Sequence, residues 1–187
     1  MSKLMLIASA LVLLLSGCGT MTNRYAPEKL TAAAPVEGSG LILFSTGAPE
    51  RCTMAATFLK LLPEGKPYHF AETALPSVDA YVLKSDFADH QGNLHLIPVP
   101  AGQYYFAPWT ANPYLVPTKV PKASFSVAAG EIVYLGEYFM PVACSTTTLG
   151  RISDQKQRDL ALLKSKNPNV DTTHVVTRLM VFNGEAM

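Results

Sequence analysis

The run Ser124-Phe125-Ser126-Val127, then Ala128-Ala129-Gly130-Glu131, then Ile132-Val133-Tyr134-Leu135-Gly136-Glu137-Tyr138-Phe139 carries the clearest strand signal in the chain. Phe125 and Val127 fall on one face of an extended segment, Ser124 and Ser126 on the other, which is the alternation of a half-buried strand. Ala128 to Glu131, with Gly130 inside it, has the composition of a turn. The whole stretch therefore predicts a β-hairpin.

Short β runs cut by turn residues continue on either side. Leu41-Ile42-Leu43-Phe44 is a compact buried-strand run. Thr53 to Leu62 and Tyr68 to Phe70 flank Pro63-Glu64-Gly65-Lys66, which reads as a hairpin turn. Ala80 to Ser85 leads through Asp89-His90-Gln91-Gly92 into Leu94-His95-Leu96-Ile97, and Gln103 to Phe106 is a further strand. Thr173 to Phe182, rich in β-branched residues, reads as the last. One helix stands out. Ser153 or Asp154 can cap it, with Gln157 three residues after Asp154 as a capping box prefers. Leu160 and Leu163 line one face, Lys164 and Lys166 complement the C-terminal dipole, and Pro168 ends it. Strands at this spacing, without the intervening helices a parallel sheet needs, predict a mostly β protein. The expected architecture is an antiparallel β-sandwich with one C-terminal α-helix near 154–166.

The N-terminus has a different character. Met1-Ser2-Lys3 is a short cationic start, and Leu4 to Leu15 holds only apolar residues and Ser9. Twelve helical residues span roughly 18 Å, short of the ~30 Å hydrocarbon core of a membrane. This is the pattern of a cleaved export signal. Leu15-Ser16-Gly17-Cys18 resembles the lipobox of bacterial lipoproteins. That resemblance implies thioether acylation of Cys18, cleavage before it and acylation of the freed amine, which together anchor a chain stably to a membrane. Gly19 and Thr20 follow, with no aspartate, and by the sorting habit of enteric bacteria this implies the outer membrane, facing the periplasm. Thr20 to Gly40 is polar, with Ala, Pro and Gly and no apolar period, and reads as a flexible tether. The expected organisation is a signal at 1–17, a lipidated N-terminus and tether at 18–40, and a sandwich domain at 41–187.

Removing 17 of the 187 residues leaves 170, enough for one domain with a real core. The only charge lost is Lys3, so 14 basic residues face 14 acidic ones. A net charge of zero offers no long-range attraction for nucleic acid, and no Lys/Arg cluster interleaves with aromatics. Nucleic-acid binding is not expected. Cys52 and Cys144 remain after Cys18, an even number in an oxidising compartment, and are expected to pair. The bridge would close a loop of about 92 residues and contribute on the order of 4–5 kcal/mol. The alternative is two buried thiols; no Cys-x-x-Cys or nearby histidine supports a metal pair.

Two further segments carry a resemblance. Pro100-Ala101-Gly102-Gln103-Tyr104 fits a proline-glycine-tyrosine turn and strand. Phe125-x-Val127-x-x-Gly130-x-x-x-Tyr134-Leu135-Gly136 fits the hairpin that follows it in small extracytoplasmic sandwich domains. From Leu41 to Phe139 the chain is similar to transthyretin-like or carboxypeptidase-regulatory-like domains of bacterial lipoproteins. The resemblance implies an architecture and no catalytic residues; the segment Ser153 to Pro168 lies outside the usual sandwich.

Motifs for chemistry are sparse. If Gln91-Gly92 were a two-residue turn, His90 and His95 would share a face with Asp86, on a diagonal of about 7–8 Å. That triplet is a weak metal candidate beside the simpler reading of exposed polar residues near a turn, so neither metal nor cofactor is expected. Ser153-Asp154-Gln155-Lys156 matches a Ser-x-x-Lys pattern, but its companion elements are absent, and Ser153 reads as a helix cap. Tyr105, Trp109 and Tyr114, in and after the strand at Tyr104 and near Pro108, Pro113 and Pro117, are candidate partner-binding aromatics, with packing as the alternative.

The expected function is therefore a lipid-anchored, non-catalytic binding or scaffolding module of the cell envelope. Its partners would be the membrane, through the lipid on Cys18, and an envelope protein or glycan. The rivals are an envelope hydrolase acting on glycan or peptide, and an accessory subunit of a secretion or assembly machine. Two of His69, His90, His95 and His174, or one with Glu72, Asp86 or Asp89, within about 4 Å in a concave pocket would replace the binding-module reading with a catalytic one; histidines scattered over the surface would leave it standing.

Overall fold

The structure, a computed structural model, describes residues 34–65, 74–110, 120–145 and 149–186. Residues 1–33, with the expected export signal, Cys18 and most of the expected tether, lie outside the described residues, as do Lys66, Tyr68–Phe70, Glu72 and Tyr114.

The described elements are β1 (Ser39–Ala48), β2 (Thr57–Pro63), β3 (Gln91–Pro100), β4 (Gly102–Thr110), β5 (Val120–Val127), β6 (Ile132–Phe139), β7 (Arg151–Ser153), α1 (Lys156–Lys166), β8 (Val176–Thr177) and β9 (Val181–Ala186). One sheet runs β3-β1-β6-β7, with β8 also paired to β6, and the other runs β2-β4-β5-β9. The second is antiparallel throughout. In the first, β1 is antiparallel to β3 and parallel to β6. The protein is a mostly β sandwich of two antiparallel-rich sheets with one helix among its described residues.

A core of Ile42, Phe44, Leu59, Ile97, Phe106 and Val133 fills the space between the sheets. The opposite face of the first sheet presents Leu41, Leu43, Leu94, Leu96 and Tyr134, which pack against Leu163 of α1 and against Val170 and Val175 after it. The first sheet is thus covered on both faces, which explains why Leu41 to Phe44 is an unbroken apolar run.

That layering overturns the hairpin expected at Ser124–Phe139. β5 alternates between buried and half-exposed residues, whereas Val133, Tyr134 and Leu135 are all fully buried. A strand apolar on both faces belongs beside β1, between helix and sheet, and not beside half-exposed β5. The segment 128–131 is therefore an arch that carries the chain from one sheet to the other. Gly130 holds φ +77°, which a Cβ would strain, and its N–H donates to Ser39 O at 2.8 Å. Glu131 fixes the arch by accepting from Ala128 N at 2.8 Å and from both terminal nitrogens of Arg178.

Three other expectations change. Ala80–Ser85 is no strand but a single bridge residue, a turn and bend at Tyr81–Leu83 and irregular chain, so Gln91-Gly92 is no hairpin turn but the start of β3, opposite Ala48 and Gly47. The last strand divides at Arg178–Met180: β8 joins the first sheet and β9 the second. Ser39 and Gly40, expected to precede the domain, already belong to β1. At the helix, Asp154 Oδ1 accepts Lys156 N at 2.9 Å, while neither Ser153 nor Gln157 completes a capping box among the described residues.

His95 lies on the core side of β3, stacked on Phe44 with ring centroids 4.9 Å apart and Nε2 3.0 Å from Thr46 Oγ1. Burial lowers its pKa from 6.5 to about 4. The folded state thus binds fewer protons than the unfolded chain between those values, so stability falls as pH drops from about 6.5 toward 4. The expected loss is on the order of 3 kcal/mol. Urea denaturation of wild type and His95→Gln across pH 4–7 checks this. The acid-side slope should flatten in the variant, and parallel profiles would show that His95 is not its source.

Candidate functional site

The site is assembled on the helix-facing side of the first sheet. The register between β1 and β6 shifts by one residue: Leu43 faces Tyr134, while Ser45 faces Glu137. Gly136, at φ +92°, lies in this bulge. Because of the extra residue, Tyr134 and Glu137 share the face that α1 covers, although residues three apart on a regular strand point to opposite faces.

Asp159 descends from α1 onto that face and is fully buried. Its carboxylate accepts from Ser45 Oγ at 2.6 Å, Tyr134 OH at 3.0 Å and Arg158 Nε at 2.8 Å. Tyr134 OH in turn accepts Gln155 N at 3.0 Å. Burial pushes the Asp159 carboxyl above its ordinary value, against the pull of Ser45 and Arg158, and pushes the Tyr134 phenol up as well. Arg158 extends the network outward, donating to Glu137 Oε1 at 2.9 Å and to Ser45 Oγ at 2.9 Å, with its guanidinium 4.1 Å above the Phe87 ring. A helix with few apolar residues is thus docked by one buried carboxylate and its donors.

At the rim, the network opens into a cleft of about 620 Å³ lined by Pro49, Asp89, His90, Glu137, Phe139, Arg151, Ser153, Gln155 and Arg158. The His90 side chain is 9 % exposed and stacks on Phe87 at 4.6 Å. Gly47 lets the ring lie against β1, since a Cβ there would meet His90 Cδ2 at 3.0 Å and Phe139 Cδ2 at 2.8 Å. Nδ1 is 2.8 Å from Asp89 Oδ1. Nε2 is 3.2 Å from Glu137 Oε1, but the alignment makes no hydrogen bond, so this buried nitrogen has no hydrogen-bond partner. The histidine is bracketed by two carboxylates. No serine or threonine hydroxyl bonds it among the described residues, although Ser153 Oγ lies 3.4 Å from Glu137 Oε2.

The other candidates do not converge. His95 is in the core, His174 is exposed beside Asp171, and His69 lies outside the described residues. Asp86 accepts Leu94 N and pairs with Lys166, so the Asp86, His90 and His95 triplet does not form. Lys156 turns away from Ser153 and donates to Val175 O and Thr177 Oγ1. Tyr105 is 4 % exposed, with Lys122 Nζ 4.3 Å above its ring, so it is packed and not presented; Trp109 is half-buried, 5.9 Å from Phe58. Cys52 and Cys144 are disulfide-bonded, with Cα atoms 5.1 Å apart.

These features define a small β-sandwich protein whose single described helix is docked through a buried ionic network that opens into a cleft. The chain matches no protein-family model, no curated protein and no solved structure. Among the described residues, no helix is long and apolar enough to cross a membrane.

Proposed function

We propose that the chain is a lipid-anchored lipoprotein of the cell envelope whose sandwich, of the transthyretin-like kind, binds or scaffolds an envelope protein or glycan at the end farthest from its tether. The observation that carries this reading is an asymmetry along β1. The tether would enter at Ser39, and nine residues later, roughly 30 Å away, β1 ends at Ala48 beside the cleft. Exposed Met54, Tyr81, Val82 and Val142 lie on the segments joined there by the Cys52–Cys144 bond and the Cys52–Ala80 bridge. A lipid on Cys18 would hold the Ser39 end toward the membrane and present the other end to partners.

A second reading, an envelope hydrolase, rests on the His90–Asp89 contact of 2.8 Å inside a concave cleft, which meets the geometric condition for replacing the binding reading, although Asp89 is the adjacent residue in the chain and its side chain is 85 % exposed. Weighing for binding, no side-chain hydroxyl or thiol among the described residues bonds His90, whose two nitrogens face the carboxylates of Asp89 and Glu137. The experiment is a photo-crosslinking amino acid at Tyr81 or at exposed Ala129, in cells producing the full chain. Adducts are expected from Tyr81 and not from Ala129. In parallel, purified protein should release no soluble fragments from peptidoglycan or protein substrates. Release that disappears in His90→Ala would replace the binding reading with the hydrolase.

A further inference from the structure

A second cluster lies at the same end of the sandwich, apart from the His90 cleft. Asp79 is fully buried, and its carboxylate clips two segments together: Oδ1 accepts Thr57 N at 2.5 Å and Oδ2 accepts Cys144 N at 2.7 Å. Asp79 O also accepts Cys52 N at 2.7 Å. The two cysteine sulfurs and a carboxylate oxygen of Asp79 all lie within 4.8 Å of one another. Cys52 is buried and its sulfur accepts Ala55 N at 3.3 Å, whereas Cys144 is exposed.

We propose that Cys52, Cys144 and Asp79 form a binding site for a thiophilic divalent cation, zinc above all, which the disulfide closes and reduction opens. Zinc takes thiolate sulfur at about 2.3 Å and carboxylate oxygen at about 2.0–2.2 Å in a tetrahedron, which sets ligand atoms roughly 3.5–4 Å apart; the two sulfurs, bonded to each other here, reach that separation only once reduction releases them, with Asp79 already within 4.8 Å of both. Two N–H bonds occupy only part of an ionised carboxylate's lone pairs, so Asp79 keeps a lone pair for a metal. The Ala55 N–H on Cys52 stabilises a thiolate there, as hydrogen bonds to ligand sulfur do in metal sites. The exposed Cys144 side leaves the fourth position to water. Sequence alone does not reveal the site, because its third ligand is an aspartate brought in from a separate segment.

The opening step balances with a dithiol reductant. One thiolate of the dithiol attacks the exposed Cys144 Sγ, the Sγ–Sγ bond breaks, and Cys52 leaves as a thiolate. The second thiolate of the reductant then displaces Cys144 from the mixed disulfide. The reductant departs as its own disulfide, having given two electrons to the protein. Metal binding expels the proton of any thiol still protonated.

The test uses the full chain, reduced and desalted without oxygen, with Co²⁺ as the spectroscopic probe and Zn²⁺ as competitor. Reduced protein should develop a thiolate-to-cobalt charge-transfer band that saturates at one equivalent and is bleached by Zn²⁺. The oxidised protein, which keeps every other side chain, should show none. In reduced protein, Cys144→Ser should weaken the band by about half and the affinity at least about tenfold. A reduced protein that keeps its near-UV circular dichroism yet shows no band overturns the proposal, as does an equal band from oxidised protein. Should reduction unfold the chain, recovery of the near-UV signal with one equivalent of Zn²⁺ supports the site, and failure to recover overturns it.

Discussion

Asp159→Ala is expected to lower unfolding free energy by about 3–5 kcal/mol, the cost of removing one partner from a buried ionic cluster. The carboxylate is fully buried and takes donors from Ser45, Tyr134 and Arg158. Without it, two buried hydroxyls and a guanidinium lose an acceptor, though Arg158 keeps Glu137. Because α1 touches the sheet mainly through Leu163 and this network, the helix should loosen first, with faster amide exchange over 156–166 than over β1. Urea denaturation and hydrogen exchange check both parts. A loss under about 1 kcal/mol would mean that apolar packing, and not Asp159, holds the helix.

The second large effect concerns the bridge. Replacing Cys52 and Cys144 together by alanine is expected to cost about 4–5 kcal/mol, the loop-closure entropy returned to the unfolded chain. The bond spans 92 residues in sequence. It ties the segment after β1 to the segment after β6, where Asp79 already bonds Cys144 N. Guanidinium unfolding of the oxidised protein and the double variant measures the difference. Equal midpoints and slopes would show that the unfolded chain gains nothing from release of the bond.

The strands from Leu41 to Phe44, Gln103 to Phe106 and Ser124 to Val127 were legible because burial on one or both faces writes its period directly into side-chain type. Which strands pair was not. Ser124–Phe139 reads as a hairpin from its local turn chemistry, and only the covering of the first sheet by α1 and the residues after it sends β6 to lie parallel to β1. The Asp159 network was equally hidden. Arg158-Asp159 looks like solvated helix surface, and Glu137 looks like an exposed residue of a hairpin. Their meeting depends on the bulge at Gly136, a single glycine within an apolar run, whose function as a register shift appears only once β1 is its neighbour. The cysteine pair was visible from count alone, but Asp79 beside it was not.

Lipid anchoring is measured most directly by mass spectrometry of the N-terminal peptide from protein recovered with its membranes. The expected result is a chain beginning at Cys18, with a diacylglyceryl thioether and an acylated amine, and a Cys18→Ser variant that keeps residues 1–17. An unacylated N-terminus at a residue other than Cys18 would contradict it.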